Sequence, residues 1–422
     1  MFPFRLPESD RRCIKGRGFG LQIKGECDLT RERELTHQHT DEKDGSPTGI
    51  WSKLLILSTG HLAVDLCVGI WPVYKTIAGL DLTIAGLIAT VAGILSNALQ
   101  LVFGVMADRG RQKLLLVGGL VLAGAITFVP RVHSLPLMTL LVLASGIGSA
   151  AFHPTATGTA STLAPARAGV MVGLFLTGGY VGFAMSQWMF TAIFRATGGA
   201  TEIMFAIPLL IAAAMAWKVK PTQRQALSFA GWGRTFTEHF RSLGLLFMIQ
   251  VCASSLNTGL IFLLPDFLRE RGAPDWMLFG GGHAALVLGA SLALIPAGHA
   301  ADRLGARRVL VFLNIVAGIL FAWLLFGPCG NWSRLVLLAA LGAANGGNNV
   351  VLVSEGNRSL PGQTGGVSAL LMGVPWCFAS LIPVIVGHLA NPVHGGNTTF
   401  ALSWLGLAVV GSIFAGSRVP NR

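Results

Sequence analysis

Charge is what this 422-residue chain has least of: Asp, Glu, Lys and Arg make up 12% of it, against 52% hydrophobic residues. A soluble domain carries about twice that share of charge. With a mean hydropathy of +0.63, the chain is therefore expected to be an integral membrane protein that partners a lipid bilayer. Acidic residues are scarcer still, since nine of the 19 lie in the first 50 positions. The six cysteines, Cys13, Cys27, Cys67, Cys252, Cys329 and Cys377, include no C-x-x-C pair, which argues against a disulfide framework or a cysteine zinc site. No H-E-x-x-H, G-x-S-x-G or Walker sequence occurs, so neither an intramembrane hydrolase nor an ATP-driven pump is supported. The formal charge of +12 does not point to nucleic acid, because the basic residues sit in short loops and not in a patch interleaved with aromatics.

What is present is a series of apolar runs. From Trp51 onward they recur with lengths of roughly 18 to 25 residues, enough to cross about 30 Å of hydrocarbon as helix. Twelve are expected, near 51–76, 83–107, 114–130, 136–160, 167–191, 200–217, 243–265, 277–300, 308–327, 333–354, 364–389 and 397–417. Loops after even-numbered runs, with the carboxyl end, hold fifteen Lys/Arg against six on the opposite side, so both termini are expected in the cytoplasm. Residues 1–50 are polar, with nine basic and nine acidic side chains, and read as a disordered cytoplasmic extension. Residues 218–242 hold five basic residues and one Glu, Glu238. They read as a linker carrying a surface amphipathic helix between a bundle at 51–217 and one at 243–417, with 418–422 as a tail.

One charged motif organises the two bundles. Gly104-Val-Met-Ala-Asp108-Arg109-Gly110-Arg111 returns as Gly298-His-Ala-Ala-Asp302-Arg303-Leu304-Gly305, with Arg307 and Arg308 after it. The aspartates are 194 positions apart (302 − 108), close to half of the membrane part, as an internal repeat requires. The pattern resembles the signature loops of the major facilitator superfamily. That resemblance implies an all-α membrane protein with twelve transmembrane helices in two pseudo-symmetric six-helix bundles, acting as a transporter and not an enzyme. Asp108 with Arg111, and Asp302 with Arg307 or Arg308, are expected to lock the cytoplasmic side in the outward-facing state.

Of the ten carboxylates beyond residue 50, only Asp65 falls well inside a run, about 20 Å along the first helix at 1.5 Å per residue. An ionisable group at that depth is a functional candidate by default, since it needs a wet cavity or a partner. His61 lies four residues earlier, on the same helix face. Gly60-His61-Leu-Ala-Val-Asp65 and Phe152-His153-Pro154 resemble motifs of the fosmidomycin-resistance-like branch of bacterial efflux transporters. Gly178-Gly179-Tyr180-Val181-Gly182 resembles a third, with Tyr180 where that branch more often has Asn. Leu360-Pro361-Gly362 and Gly366-Val-Ser368 give only a patchy likeness in the second half.

Asp65, His61 and His153 are expected to exchange a proton for cargo. Alternatively Asp65 bonds a helix terminus or a neighbouring Ser or Asn, and His153 bonds a carbonyl freed by Pro154. A metal ion on these three is a weak signal from two helices, and none is expected. Tyr180, Gln250, Asn257 and Asn345 are further candidates for lining a cavity, although interhelical bonding would explain the amides equally well. His283, with His299, His388 and His394, reads as a loop or interface residue.

The leading expectation is proton-coupled export, by antiport, of a small polar or amphipathic molecule from the cell inner membrane. The proton gradient would be the only coupling agent and the unit a monomer. Import or uniport of a metabolite, or a sensor or scaffold without transport, are the alternatives.

Overall fold

The computed structural model describes residues 47–164, 167–218, 240–360, 367 and 370–420, and residues from Trp51 onward form one compact unit. Residues 1–46 of the expected polar extension, most of the 218–242 linker and the Pro361–Gly366 motif lie outside the described residues, while residues 47–50 are helical and lead into the first span. Among the described residues every regular element is helical and there is no strand.

Eleven helical stretches are long and apolar enough to cross a membrane. One of them, Leu82–Arg131, has 50 residues, or about 75 Å at 1.5 Å per residue, more than twice a hydrocarbon core. It breaks inside a π-turn at Ala107–Arg111, where Arg109 (φ −81°, ψ 16°) and Gly110 (φ 86°, ψ 8°) leave helical geometry. A positive φ of that size suits glycine, which has no Cβ to clash. The chain changes direction there and both arms pack on the next helix, so the twelve expected spans are accounted for. In order they are span 1 at Gly49–Ile77, span 2 at Leu82–Met106, span 3 at Gln112–Arg131, span 4 at Leu135–Leu163, span 5 at Ala168–Thr197 and span 6 at Thr201–Lys218. Span 7 follows at Leu243–Glu270, span 8 at Met277–Leu304, span 9 at Ala306–Phe326, span 10 at Asn331–Ser359, span 11 at Leu370–Ala390 and span 12 at Thr398–Arg418.

Local chemistry explains the breaks. Span 1 is interrupted at Gly69, between Val68 and Ile70, because Pro72 has no N–H to offer the Val68 carbonyl. The second signature loop turns at Gly305 with φ 87°, nearly the value at Gly110, so the one-residue difference in spacing leaves both loops with a left-handed glycine.

Glycine also sets how closely the spans approach. Lipid tails are as apolar as the side chains, so helices in a bilayer gain by backbone contact. Gly178 and Gly182 of span 5 press on the backbone carbonyls of Ser58 and Leu62 in span 1. In the second half Gly342 of span 10 presses on the Leu286 carbonyl, and Gly289 of span 8 on that of Ala339. Gly173, on the same span, faces open space.

The two halves touch at one end. Among the described residues, the bonds that cross between them are Lys75–Asp266, Arg269–Thr76, Arg195–Asp275, His283–Phe183, Asn391–Asp81, Asn391–Thr83, Val384–Thr90 and Asn97–Ser380. All belong to the part of the bundle away from the two signature loops, and the deepest, Asn97–Ser380, is about midway along span 2.

Candidate functional site

Asp65 sits one turn before the Gly69 break, on the face of span 1 that meets spans 4 and 5. Its Oδ2 lies 3.2 Å from His61 Nε2 and its Oδ1 lies 3.0 Å from His153 Nε2. One carboxylate therefore bridges two imidazoles from different helices. The side chains of Asp65 and His153 keep 19% and 26% exposure, whereas His61 keeps 5%. The cluster thus borders accessible space although it lies deep in the bundle.

The other ring nitrogens are held by backbone. His61 Nδ1 is 3.0 Å from the Phe175 carbonyl, and its ring stacks on Phe175 at 4.3 Å between centroids. His153 Nδ1 is 2.8 Å from the Ser149 carbonyl. A carbonyl oxygen only accepts, so each Nδ1 carries a proton, and each Nε2 meets Asp65 either as the second N–H of an imidazolium or as a bare lone pair. Without that second proton each Nε2···Oδ contact is a pair of acceptors that needs another positive centre to be attractive. His153 bonds the Ser149 carbonyl and not the Ala150 carbonyl that Pro154 frees, and it also faces Asp65.

Gly179 of span 5 shapes the site by lacking a side chain, because a methyl there would overlap the His61 ring and fall 2.7 Å from Asp65 Oδ2. Tyr180, the next residue, is half-buried. Its hydroxyl makes no hydrogen bond among the described residues.

The amides of the second half are engaged in helix packing. Gln250 is fully buried and donates to Asn349 at 2.7 Å and to Ser254 at 3.2 Å. Asn345 donates to the Ala253 carbonyl at 3.1 Å, and Asn314 and Asn348 bond each other between spans 9 and 10. Asn257 is half-buried and bonds nothing among the described residues, which leaves it the one amide of the expected set free to meet a ligand.

The signature loops differ from expectation. No ion pair joins Asp108 to Arg111 among the described residues. Asp302 pairs with Arg358 at the end of span 10, and not with Arg307 or Arg308. Span 10 packs along span 8 through Gly342 and Gly289 and brings Arg358 alongside, while the turn at Gly305 carries the span 9 arginines elsewhere. Arg109, Arg111, Arg303 and Arg308 are exposed and Arg307 half-buried. Gly104 meets Pro154 of span 4 at 3.9 Å for an added Cβ, and Gly298 meets Val350 of span 10 at 3.5 Å, so the repeat extends to equivalent helix pairs. The expected lock at this end is therefore not what joins the halves here.

Lys75 and Asp266 lie near the outer ends of spans 1 and 7, yet Lys75 is fully buried and bonds Asp266 across the halves, with its ammonium 4.7 Å from the Phe262 ring centroid. Their separation of 191, nearly the 194 of the repeat, was the available signal. His283, read as a loop or interface residue, is also buried and donates to the Phe183 carbonyl at 2.8 Å.

Residues 55–288, more than half of the sequence, match the Major Facilitator Superfamily. The chain belongs to that superfamily. It is accordingly a multi-pass membrane transporter and not an enzyme. Solved structures of the same fold include a bacterial homologue of the human lysosomal transporter Spinster in an inward-facing, unoccupied conformation, with TM-score 0.69 and 15% identity over 88% of this chain and 95% of that one. A mutant of the nucleoside transporter NupG gives 0.72 at 13% identity over 87% and 98%. No curated protein matches the sequence.

Proposed function

We propose that this superfamily member is a secondary active transporter that exports a small polar or amphipathic molecule in exchange for protons by alternating access. The observation that carries the reading is the bridge His61–Asp65–His153: a mid-span carboxylate held between two imidazoles, still accessible, and able to hold a positive centre at each contact. Protons and cargo would compete for this site, with Tyr180 and Asn257 as polar neighbours of the path.

The state described supports the same cycle. By the excess of basic residues in its loops the signature-loop end is cytoplasmic, so halves tied at the opposite end leave the site open to cytoplasmic cargo. The likeness of Gly60–Asp65 and Phe152–Pro154 to the fosmidomycin-resistance-like branch favours export over import. On this reading the protein works as a monomer in the inner membrane with both termini cytoplasmic, and needs no cofactor beyond the proton gradient.

The test is reconstitution in liposomes under an imposed pH gradient, with candidate compounds screened for flux in the native protein and in Asp65→Asn. Gradient-driven flux is expected for the native chain and not for the variant, with folding retained. Undiminished pumping by Asp65→Asn would remove the residue from the mechanism, and flux indifferent to pH would favour uniport.

A further inference from the structure

We propose that His61, Asp65 and His153 form a binding site for a divalent first-row transition-metal ion, such as Zn²⁺ or Co²⁺. The inference rests on the reading of this cluster as the exchange site and adds a metal ion, beside protons, to what that site holds.

One nitrogen from each histidine and one oxygen from Asp65 lie within 4.8 Å of one another. The two nitrogen–oxygen contacts, 3.2 Å from His61 to Oδ2 and 3.0 Å from His153 to Oδ1, are each close to the edge of a tetrahedron with bonds of about 2.0 Å, roughly 3.3 Å. They reach different oxygens of Asp65, so an ion held through one oxygen needs the carboxylate to turn and the ring nitrogens to close in, and His153, the less buried ring, has the room. The decisive feature is the far side of each ring. Metal-bound histidine characteristically donates its second N–H to a carbonyl or carboxylate, which fixes the tautomer and aims the lone pair. Here the Phe175 carbonyl does this for His61 and the Ser149 carbonyl for His153, which leaves the Nε2 of each ring, the nitrogen beside Asp65, to take the ion.

The donor set selects the ion. Two imidazoles with one carboxylate suit Zn²⁺, Co²⁺, Ni²⁺ or Fe²⁺, whereas Mg²⁺ and Ca²⁺ require shells made mostly of oxygen. Three protein ligands leave at least one position open, and the remaining exposure of Asp65 and His153 puts that position on the accessible side. An open, three-ligand site suits an ion that must leave again, in contrast to the closed four-ligand shell of a structural zinc.

The experiment is equilibrium binding of Co²⁺ to the purified full-length protein in detergent, read by metal content and by visible absorption. The native chain is expected to bind one Co²⁺ more than His61→Gln/His153→Gln and to show the intense bands of a four- or five-coordinate ion. Other histidines, including the His388–His394 pair with ring centroids 4.6 Å apart, are present in both proteins and cancel in the difference. Equal Co²⁺ uptake by the two would overturn the proposal. X-ray absorption of the native protein loaded with Zn²⁺ needs no variant: two imidazole nitrogens and an oxygen support the site, and sulfur or a single imidazole refutes it. If Co²⁺ uptake is equal while a pH gradient still drives Asp65-dependent flux of an organic compound, the metal assignment fails and the transport reading stands.

Discussion

Lys75 and Asp266 face each other across the two halves of the transporter, from the ends of spans 1 and 7 that the internal repeat makes equivalent. Neither charge has water to fall back on while the halves are closed, since Lys75 is fully buried and Asp266 keeps 14% exposure. Breaking such a pair from one side strands a buried charge, which costs about 3–5 kcal/mol. That cost is paid only in the closed arrangement, so Lys75→Gln or Asp266→Asn should shift the protein toward opening at this end. Spin labels on spans 2 and 11 should report longer distances in either variant. The double variant should return toward native distances, and unchanged distances in all three would show that the pair does not hold the closure.

Gly179 and Gly173 lie two turns apart on span 5 and predict opposite outcomes. Alanine at Gly179 would drive a methyl into the His61 ring and against Asp65, while at Gly173 it meets nothing within 4 Å. Gly179→Ala is therefore expected to abolish the Asp65-dependent flux, and Gly173→Ala to leave it within about twofold. Comparable thermal stability of both proteins would assign the loss to the site. Normal flux in Gly179→Ala would mean that the cluster is not where the structure puts it.

Much of this was legible in the sequence because membrane burial is written in composition. Run length gave the spans, the Asp108 and Asp302 motifs gave the repeat, and the lone mid-span acid with His61 one turn away gave the centre of the site. What stayed hidden depends on helices meeting. Nothing near Arg358 in the sequence announces Asp302, since their contact arises from the packing of span 10 on span 8. Lys75 looked like a loop charge because its partner Asp266 lies 191 positions away and only the meeting of spans 1 and 7 buries it. The amides at Gln250 and Asn345 were ambiguous for a related reason: a polar side chain inside a bundle satisfies a neighbour as readily as a ligand, and only the geometry assigns those two to the contact of spans 7 and 10.

The Asp302–Arg358 pair predicts a small energetic effect with a larger functional one. Both side chains are about half exposed, so the pair is worth under about 1 kcal/mol. Asp302→Asn, which leaves Arg358 beside the buried Glu355, should leave the unfolding temperature nearly unchanged. Because a conformational equilibrium responds to a bias of that size by up to about fivefold, the same substitution should alter the rate of flux more than the stability. A large drop in unfolding temperature would show that Asp302 supports the fold and not the balance between states.

Asp81 gives the pH dependence. It lies in the turn between spans 1 and 2, where its carboxylate caps span 2 by accepting the Ile84 N–H at 2.9 Å and also accepts from Asn391 of the other half at 2.7 Å. The Ile84 N–H, followed by Asn391, holds the Asp81 carboxyl below the usual carboxylate range. A group with a lowered folded pKa contributes stability that is fully present above its unfolded value, about 3.9, and is lost as pH falls through the folded value. Replacing such a cap with alanine typically costs about 1 kcal/mol. Thermal unfolding of Asp81→Ala should therefore lie below that of the native protein at neutral pH, and the gap should stay constant down to about pH 4 and narrow beneath it. A gap that persists unchanged into strong acid would mean that the ionised carboxylate is not what Ile84 and Asn391 recognise.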